Sequence, residues 1–248
     1  MSRKNALDQY RMDLHIHTCL SPCGFSEMVP TRIIDRALQQ NLRIIGVCDH
    51  NASENYPAVK KAAQGCGVAV LGGMEVNSRE EIHILALFDS EKNLQALQKI
   101  VYSRLRGVND SSAFGEQYIV DCNDYVKGVN RKLLIGSVDI SLERMIDHIH
   151  ERGGIAIASH IDRSAYSIIS QLGFIPEDLG LDAVELAFAQ SEPADFPGAA
   201  RYPALRFSDA HYLKDIGSTC TNALLGNPTI EELRMALQRR CGRKIWTE

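Results

Sequence analysis

The sequence predicts an α/β fold built on a largely parallel sheet. Seven short apolar runs recur along the chain, several ending abruptly in a polar or ionisable residue. Helix-like segments lie between most of them, and a single closely spaced pair breaks the parallel pattern.

The runs cover residues 12–17, 43–49, 68–75, 82–88, 155–160, 183–188 and 205–209, and their shortness and Ile/Val content read as buried strands. The first helix, 31–41, follows Pro30, which suits a first-turn position. The second, 53–64, opens on Ser53 as an N-cap and stops before Gly65. Helix 91–105 carries apolar residues at 94, 97, 100, 101 and 105, a helical spacing. Helix 141–152 has Ser141 as its cap and Gly153-Gly154 as its stop. The last helix, 229–240, starts after Pro228 with Glu231 and Glu232 in its first turn.

The exception lies between Glu75 and His83. A parallel crossover needs about a dozen residues, more than separate these two, so the strand after Glu75 is expected to run antiparallel. Glu75 and His83 then share one edge of the sheet. Residues 107–132 interrupt the alternation and read as an inserted loop and hairpin over the active site. Seven strands in 248 residues fit either one small barrel or an open doubly wound sheet.

Composition narrows the function. Apolar residues make up 45% of the chain and charged residues 23%, enough for a sizeable core. A net charge of -4 argues against a generic nucleic-acid binder, which needs a basic surface. The densest cationic run, Arg239-Arg240-Cys241-Gly242-Arg243-Lys244, reads as a solvated helix end. No run approaches the length of a membrane span, and residues 1–12 hold no apolar signal core. Seven scattered cysteines without a CxxC pair suit free thiols in a reducing cytoplasm. Oligomeric state is not legible.

The chemistry starts at Asp13-Leu14-His15-Ile16-His17. On a strand, alternate side chains share a face, so Asp13, His15 and His17 are expected to point together. The two imidazoles can converge on one metal or serve adjacent ones. The pair His148 and His150 has the same spacing but sits in helix 141–152, where residues two apart diverge, and is assigned to the helix surface. His15, His17, His50, His83, His160 and His211 fall near strand ends, together with Glu75 and Asp209. Six imidazoles and two carboxylates exceed the ligands of one zinc, so two or three metals are implied.

The segments Asp13-Leu14-His15-Ile16-His17-Thr18, Asp49-His50-Asn51, Gly73-Met74-Glu75, Ser159-His160 and Ser208-Asp209-Ala210-His211 resemble, in order, the motifs of the polymerase and histidinol phosphatase (PHP) superfamily. They span most of the chain, residues 13 to 211. The resemblance implies a single domain, 1–248, folded as a distorted (β/α)7 TIM-like barrel with a polynuclear metal centre. It implies His15, His17, His50, Glu75, His83, His160, Asp209 and His211 as metal ligands, with His15, His17, Glu75, Asp209 and His211 central to catalysis. The cofactors are expected to be two or three divalent ions, Zn, Mn or Fe. The sequence departs from the superfamily at Pro22 and Cys23, where another Asp or His ligand is usual. Cys23 is read either as a soft thiolate ligand or as a small buried thiol.

The expected reaction is hydrolysis of a small phosphomonoester by a hydroxide bridging two metals, in a stand-alone enzyme. Arg163, three residues after His160, is the candidate phosphate clamp, placed like the Arg that follows the corresponding motif in some superfamily phosphatases. An ion pair with Asp162 or Glu177 is its alternative. Asp13 and Asp49 are read as groups orienting imidazoles rather than as ligands. Arg131 and Lys132 lie near the insertion, with nothing in the sequence to select them. The runner-up is a nuclease or nucleotide phosphatase acting on 3'-phosphates or short oligonucleotides, with Tyr10, Tyr166, Phe174 and Tyr212 as stacking candidates. A non-catalytic metal-binding module is the third reading.

Overall fold

A computed structural model describes residues 6–247. Its main sheet contains β1 (Asp8–Ile16), β2 (Ile44–Val47), β3 (Ala69–Asn77) and β4 (His83–Phe88). A separate hairpin of β5 (Tyr118–Val120) and β6 (Val126–Val129) follows, and the main sheet resumes with β7 (Ile155–Ala158), β8 (Ala183–Glu185), β9 (Ala204–Leu205), β10 (Thr221–Leu225) and β11 (Lys244–Thr247). The nine strands of the main sheet run in the order β11-β10-β1-β2-β3-β4-β7-β8-β9. Strands β1 to β4 and β7 to β9 correspond to the seven apolar runs. All neighbouring pairs among them are parallel except those made by β4, which is antiparallel to both β3 and β7. The short Glu75–His83 connection therefore reverses the chain as its length requires.

The sheet curls into a nearly closed barrel, which decides against the open doubly wound alternative. Its seam is a parallel bridge between Ile16 and Ala210. The Ala210 amide donates to the His15 carbonyl at 3.1 Å, and the His17 amide donates to the Ala210 carbonyl at 3.0 Å.

Around the barrel lie α1 (Pro30–Gln39), α2 (Tyr56–Ala62), α3 (Glu91–Arg104), the single turn α4 (Ser111–Phe114), α5 (Leu142–His150), α6 (Ile168–Leu172) and α7 (Ile230–Leu237). Ser141 caps α5 as expected, its hydroxyl accepting from the Arg144 amide. Ser53 does not cap α2. That helix begins at Tyr56 with Pro57 in its first turn, and the Ser53 hydroxyl is bonded to Gln98 instead. Helix α6 and the β10–β11 pair have no counterpart in the sequence reading.

Two apolar layers position the site. Inside the barrel, Met12, Leu14, Ile44, Leu71, Leu85, Leu87, Ile157 and Phe207 pack together, and Leu233 and Leu237 of α7 extend that cluster with Tyr10 and Leu225. These last residues plug the end opposite the strand termini that carry the imidazoles. Outside, Ile16, Ile45, Val47 and Met74 pack against the helices, with Ile33, Ile34, Leu97 and Met145 among their partners.

The first strand is irregular. Asp13 pairs with Ile45 but Ile16 pairs with Val47, so β1 carries one extra residue between them. Such a bulge breaks the two-residue alternation. Gly46 lies beside it: a Cβ there would come within 2.3 Å of the Leu14 carbonyl oxygen, leaving room only for glycine.

Candidate metal centre

Glu75 is the hub. It sits on β3, is 1% exposed, and has nitrogen atoms of five imidazoles within 3.5 Å of its carboxylate. His83 Nδ1 lies 3.0 Å away, His50 Nδ1 3.1 Å, His160 Nε2 3.2 Å, His15 Nε2 3.4 Å and His17 Nε2 3.5 Å. Asp209 makes a second pole, its Oδ1 lying 3.2 Å from His15 Nε2 and 3.1 Å from His17 Nε2. His211 stacks on His17 with ring centres 4.2 Å apart. All eight residues expected as ligands thus converge, from the ends of β1, β2, β3 and β7, the start of β4 and the segment after β9.

The supporting bonds decide which atoms face inward. His15 Nδ1 lies 3.1 and 3.0 Å from the two oxygens of Glu185, an acceptor-only group when ionised, so Nδ1 carries the proton. His17 Nδ1 is 2.9 Å from Ser21 Oγ, whose own proton goes to Asp49 Oδ1 at 2.7 Å. His17 Nδ1 must therefore donate as well. In the neutral imidazoles both Nε2 atoms then carry lone pairs, and they lie 3.2 Å apart beside carboxylate oxygens of Glu75 and Asp209. A cluster of acceptors this close is satisfied by a shared cation.

Two further atoms point the same way. His83 Nδ1 and His160 Nδ1 are buried with no hydrogen bond; His83 Nδ1, though 3.0 Å from Glu75, is not aligned for one. The donor atoms fall into three overlapping groups, each within 4.8 Å: His15, His17, Glu75 and Asp209; His50, Glu75 and His83; and His17, Cys23, His50 and His211. Nitrogen and carboxylate donors of this kind fit zinc, manganese or iron.

Protonation states suit ligation in part. Burial, then the neighbouring His211, brings His17 down to about 4 against the pull of Asp209 and Glu75. Burial also holds His50 low, opposed by Glu75. Burial disfavours a charged His15 too, but Glu185, Asp209 and Glu75 outweigh it and hold that imidazole above its ordinary range. Glu75 and Asp209 stay below the usual carboxylate range despite burial, because His83, His15 and His50 surround the first and His15 and His17 the second. Backbone strain marks the same place: His160 and Asp209 have φ of 28° and 47°, in the left-handed region.

Some sequence-based expectations fare differently. Asp13 does not orient an imidazole. The bulge turns its carboxylate to the Ser208 amide and hydroxyl and to the Gly217 amide, where it ties the Asp209 segment to β1. Asp49 reaches His17 only through Ser21. Cys23 is exposed rather than buried, and lines the cavity in front of the ligand cluster. Arg163 also lines that cavity, and its guanidinium pairs with Asp209 Oδ2, not with Asp162 or beside Glu177. Asp162 instead accepts from the Ala187 and Phe188 amides.

Other residues lie elsewhere. His148 and His150 sit on the surface of α5 against Glu151 and Asp182. Lys132 reaches the Tyr102 carbonyl, and Tyr10 is buried in the barrel under Arg43. Phe174 and Arg131 are not among the residues lining the cavity. The β5–β6 hairpin packs on the loop after β1: the Tyr118 amide donates to the Cys19 carbonyl, and Asp124 accepts from Thr31. Sequence reasoning missed Glu185 and Ser21.

The cavity measures about 540 Å³, and its lining includes His50, Glu75, His83, His160, Asp209 and His211 together with Arg163, Tyr166 and Phe188. Tyr166, 43% exposed, stacks on His83 at 4.8 Å and 14°, and its carbonyl accepts from the His83 amide. Phe188 is 46% exposed.

Comparison with known proteins places this geometry. The family model for the PHP domain matches residues 13–171. A 5'-3' exoribonuclease of Haemophilus influenzae is 24% identical over 191 residues, which cover 60% of this chain and 68% of that protein. Among solved structures, the lesion-specific endonuclease Q of Pyrococcus furiosus superposes with a TM-score of 0.75 at 20% identity, covering 96% of this chain. The chain spans only 58% of the length of that endonuclease. A Bifidobacterium adolescentis protein described as a metal-dependent phosphoesterase matches end to end, at 92% and 96% coverage, with a TM-score of 0.57 and 16% identity.

Proposed function

The chain belongs to the PHP domain family, and from that premise we propose that it is a metal-dependent phosphoesterase whose substrate carries a nucleobase: a nucleotide or the end of a short nucleic acid. One observation carries the substrate class. The acceptor cluster around Glu75 shares a single cavity with one guanidinium and two exposed aromatic rings, Tyr166 and Phe188. Phosphate, charge and base then each have a counterpart within one cavity. This reverses the order the sequence alone favoured, in which a small phosphomonoester came first. The exoribonuclease name of the Haemophilus relative agrees with the change.

His15, His17, His50, Glu75, His83, His160, Asp209 and His211 would hold two or three divalent ions, with Cys23 beside the group formed by His17, His50 and His211. Such ions supply a water activated near neutral pH and positive charge for the phosphate oxygens. The chain's own groups do the rest. Glu185 and the Ser21–Asp49 pair fix the tautomers of His15 and His17, so both Nε2 lone pairs face inward. Arg163 donates to phosphate oxygens from beside the cluster while Asp209 Oδ2 holds its guanidinium. Tyr166, braced by His83, presents a flat face to a base.

A base-free phosphomonoester is the second reading, favoured by Arg163 being the one cationic side chain lining the cavity among the described residues. A hydrolysis screen on protein of measured metal content separates the two. It compares nucleoside 3',5'-bisphosphates and short RNA with histidinol phosphate and glycerol phosphate. The nucleotide substrates are expected to show the higher kcat/KM. A clear preference for the base-free esters would overturn the assignment. Activity lost to a chelator and restored by Mn2+ or Zn2+ separates an enzyme from a binding module.

A further inference from the structure

We infer that the substrate extends beyond one nucleotide, with its next base stacked on the Phe25–Tyr212 pair and the phosphate beyond it held by Lys214, Arg32 and Arg36. This rests on the reading of the cavity as a nucleotide site and adds a direction in which the chain leaves it.

Phe25 and Tyr212 stand close in the chain to Cys23 and His211, which line the cavity. The Phe25 and Tyr212 rings lie 5.2 Å apart at 35°, and the residues are 49% and 44% exposed. The pair is joined to the metal centre by backbone. The Phe25 amide donates to the His211 carbonyl at 3.0 Å, and Tyr212 directly follows His211, whose ring stacks on His17. Cys23 and His211, which line the cavity, form the step between the two places.

Past the pair the surface turns cationic. A second depression of about 370 Å³ is lined by Arg32, Asp35, Arg36, Gln39, Leu213 and Lys214. Lys214 Nζ stands 5.5 Å from the centre of the Tyr212 ring. The Arg36 guanidinium is fixed by the Leu213 and Lys214 carbonyls at 3.2 and 3.1 Å, which holds its charge in place. Arg32 is paired with Glu27, an exposed contact that a phosphate can displace at little cost. Three cations against Asp35 and Glu27, on a chain whose net charge is -4, leave a local positive excess for an anion. The order is metal centre, aromatic pair, cations. It repeats the alternation of phosphate, base and phosphate along a single strand.

The test uses single-stranded mono- and trinucleotides, the trimer carrying 2-aminopurine at its second position. Binding is followed by stopped-flow fluorescence on the metal-loaded protein, ahead of turnover, and hydrolysis separately with Mn2+. Wild-type protein is expected to quench 2-aminopurine and to prefer the trimer over the monomer in kcat/KM. Tyr212→Ala and Phe25→Ala should weaken trimer binding about tenfold and remove the quenching, while Tyr212→Phe retains both. Lys214→Gln should flatten the plot of log Kd against log salt by about 0.7, one single-strand phosphate contact. Unchanged trimer affinity and quenching in Tyr212→Ala would overturn the inference. So would a wild-type protein that hydrolyses mononucleotides and gains nothing from a longer chain, and that result would leave the nucleotide reading standing. Hydrolysis of base-free esters with no nucleotide bound at all would remove the nucleotide reading itself, and this inference with it.

Discussion

Both carboxylate oxygens of Glu185 lie within 3.1 Å of His15 Nδ1, in a pair that is almost wholly buried. The same carboxylate accepts from the His160 amide at 3.2 Å. Glu185 therefore holds one imidazole by its ring and another residue of the centre by its backbone, without touching the cluster of acceptors itself. Carboxylates placed behind a liganding imidazole fix its tautomer and raise its basicity.

Replacing Glu185 by Gln keeps the shape and removes the charge. Metal affinity is expected to fall by about 10- to 100-fold, read by competition titration against a chelator, with an unchanged circular dichroism spectrum. An affinity equal to wild type would mean that the His15–Glu185 contact does no more than fill space.

Asp209→Ala removes the oxygen that lies between His15 and His17 and frees Arg163 from its partner. Turnover should be abolished while the fold stays largely intact. A variant that remains active at near wild-type kcat would refute the place given to Asp209.

Chelation should lower thermal stability. The buried, ionised Glu75 and Asp209 repel one another, a cation between them relieves that repulsion, and a ligand that binds only the folded state at 100 times its Kd stabilises by about 2.7 kcal/mol. Differential scanning fluorimetry with EDTA, followed by Mn2+ or Zn2+ addition, checks this. A Tm indifferent to metal would contradict it.

Gly46→Ala should destabilise the barrel by about 1–3 kcal/mol, because the new methyl meets the Leu14 carbonyl rather than a yielding side chain. Urea unfolding measures the loss. Metal affinity should fall with it, since the displaced backbone leads directly to His15. A neutral substitution would show that β1 can shift without disturbing the centre.

Much of the centre was legible because its residues stand at the ends of apolar runs. His15, His17, His50, Glu75, His160 and Asp209 each stand at or just past such an end, and the position alone carried them to one edge of the sheet. Glu185 was hidden because its run continues through Leu186, Ala187 and Phe188, although the strand itself stops at Glu185. Asp13 departs from expectation for a different reason. Alternation along a strand predicts its direction, but the extra residue in β1 is a matter of pairing with β2, which no pattern within residues 12–17 reveals. Strand β10 escaped because Asn222 and Thr221 interrupt its apolar character; its stability comes from pairing with the first half of β1. Ser53 looked like a cap, but Pro57 sets the start of α2 at Tyr56.

The seam of the barrel passes through the centre. The two hydrogen bonds that join Ala210 to His15 and His17 sit between Asp209 and His211 on the segment after β9 and the two histidines at the end of β1. Parting these two segments by even a few ångströms would scatter four of the eight candidate donors, so release of metal and opening of the cylinder are expected to be coupled. Amide exchange at Ala210 and His17 should then slow sharply when metal is added, more than at Leu224 or Trp246 in the β10–β11 pair, and this local protection would give the holding strength of the ions without any substrate.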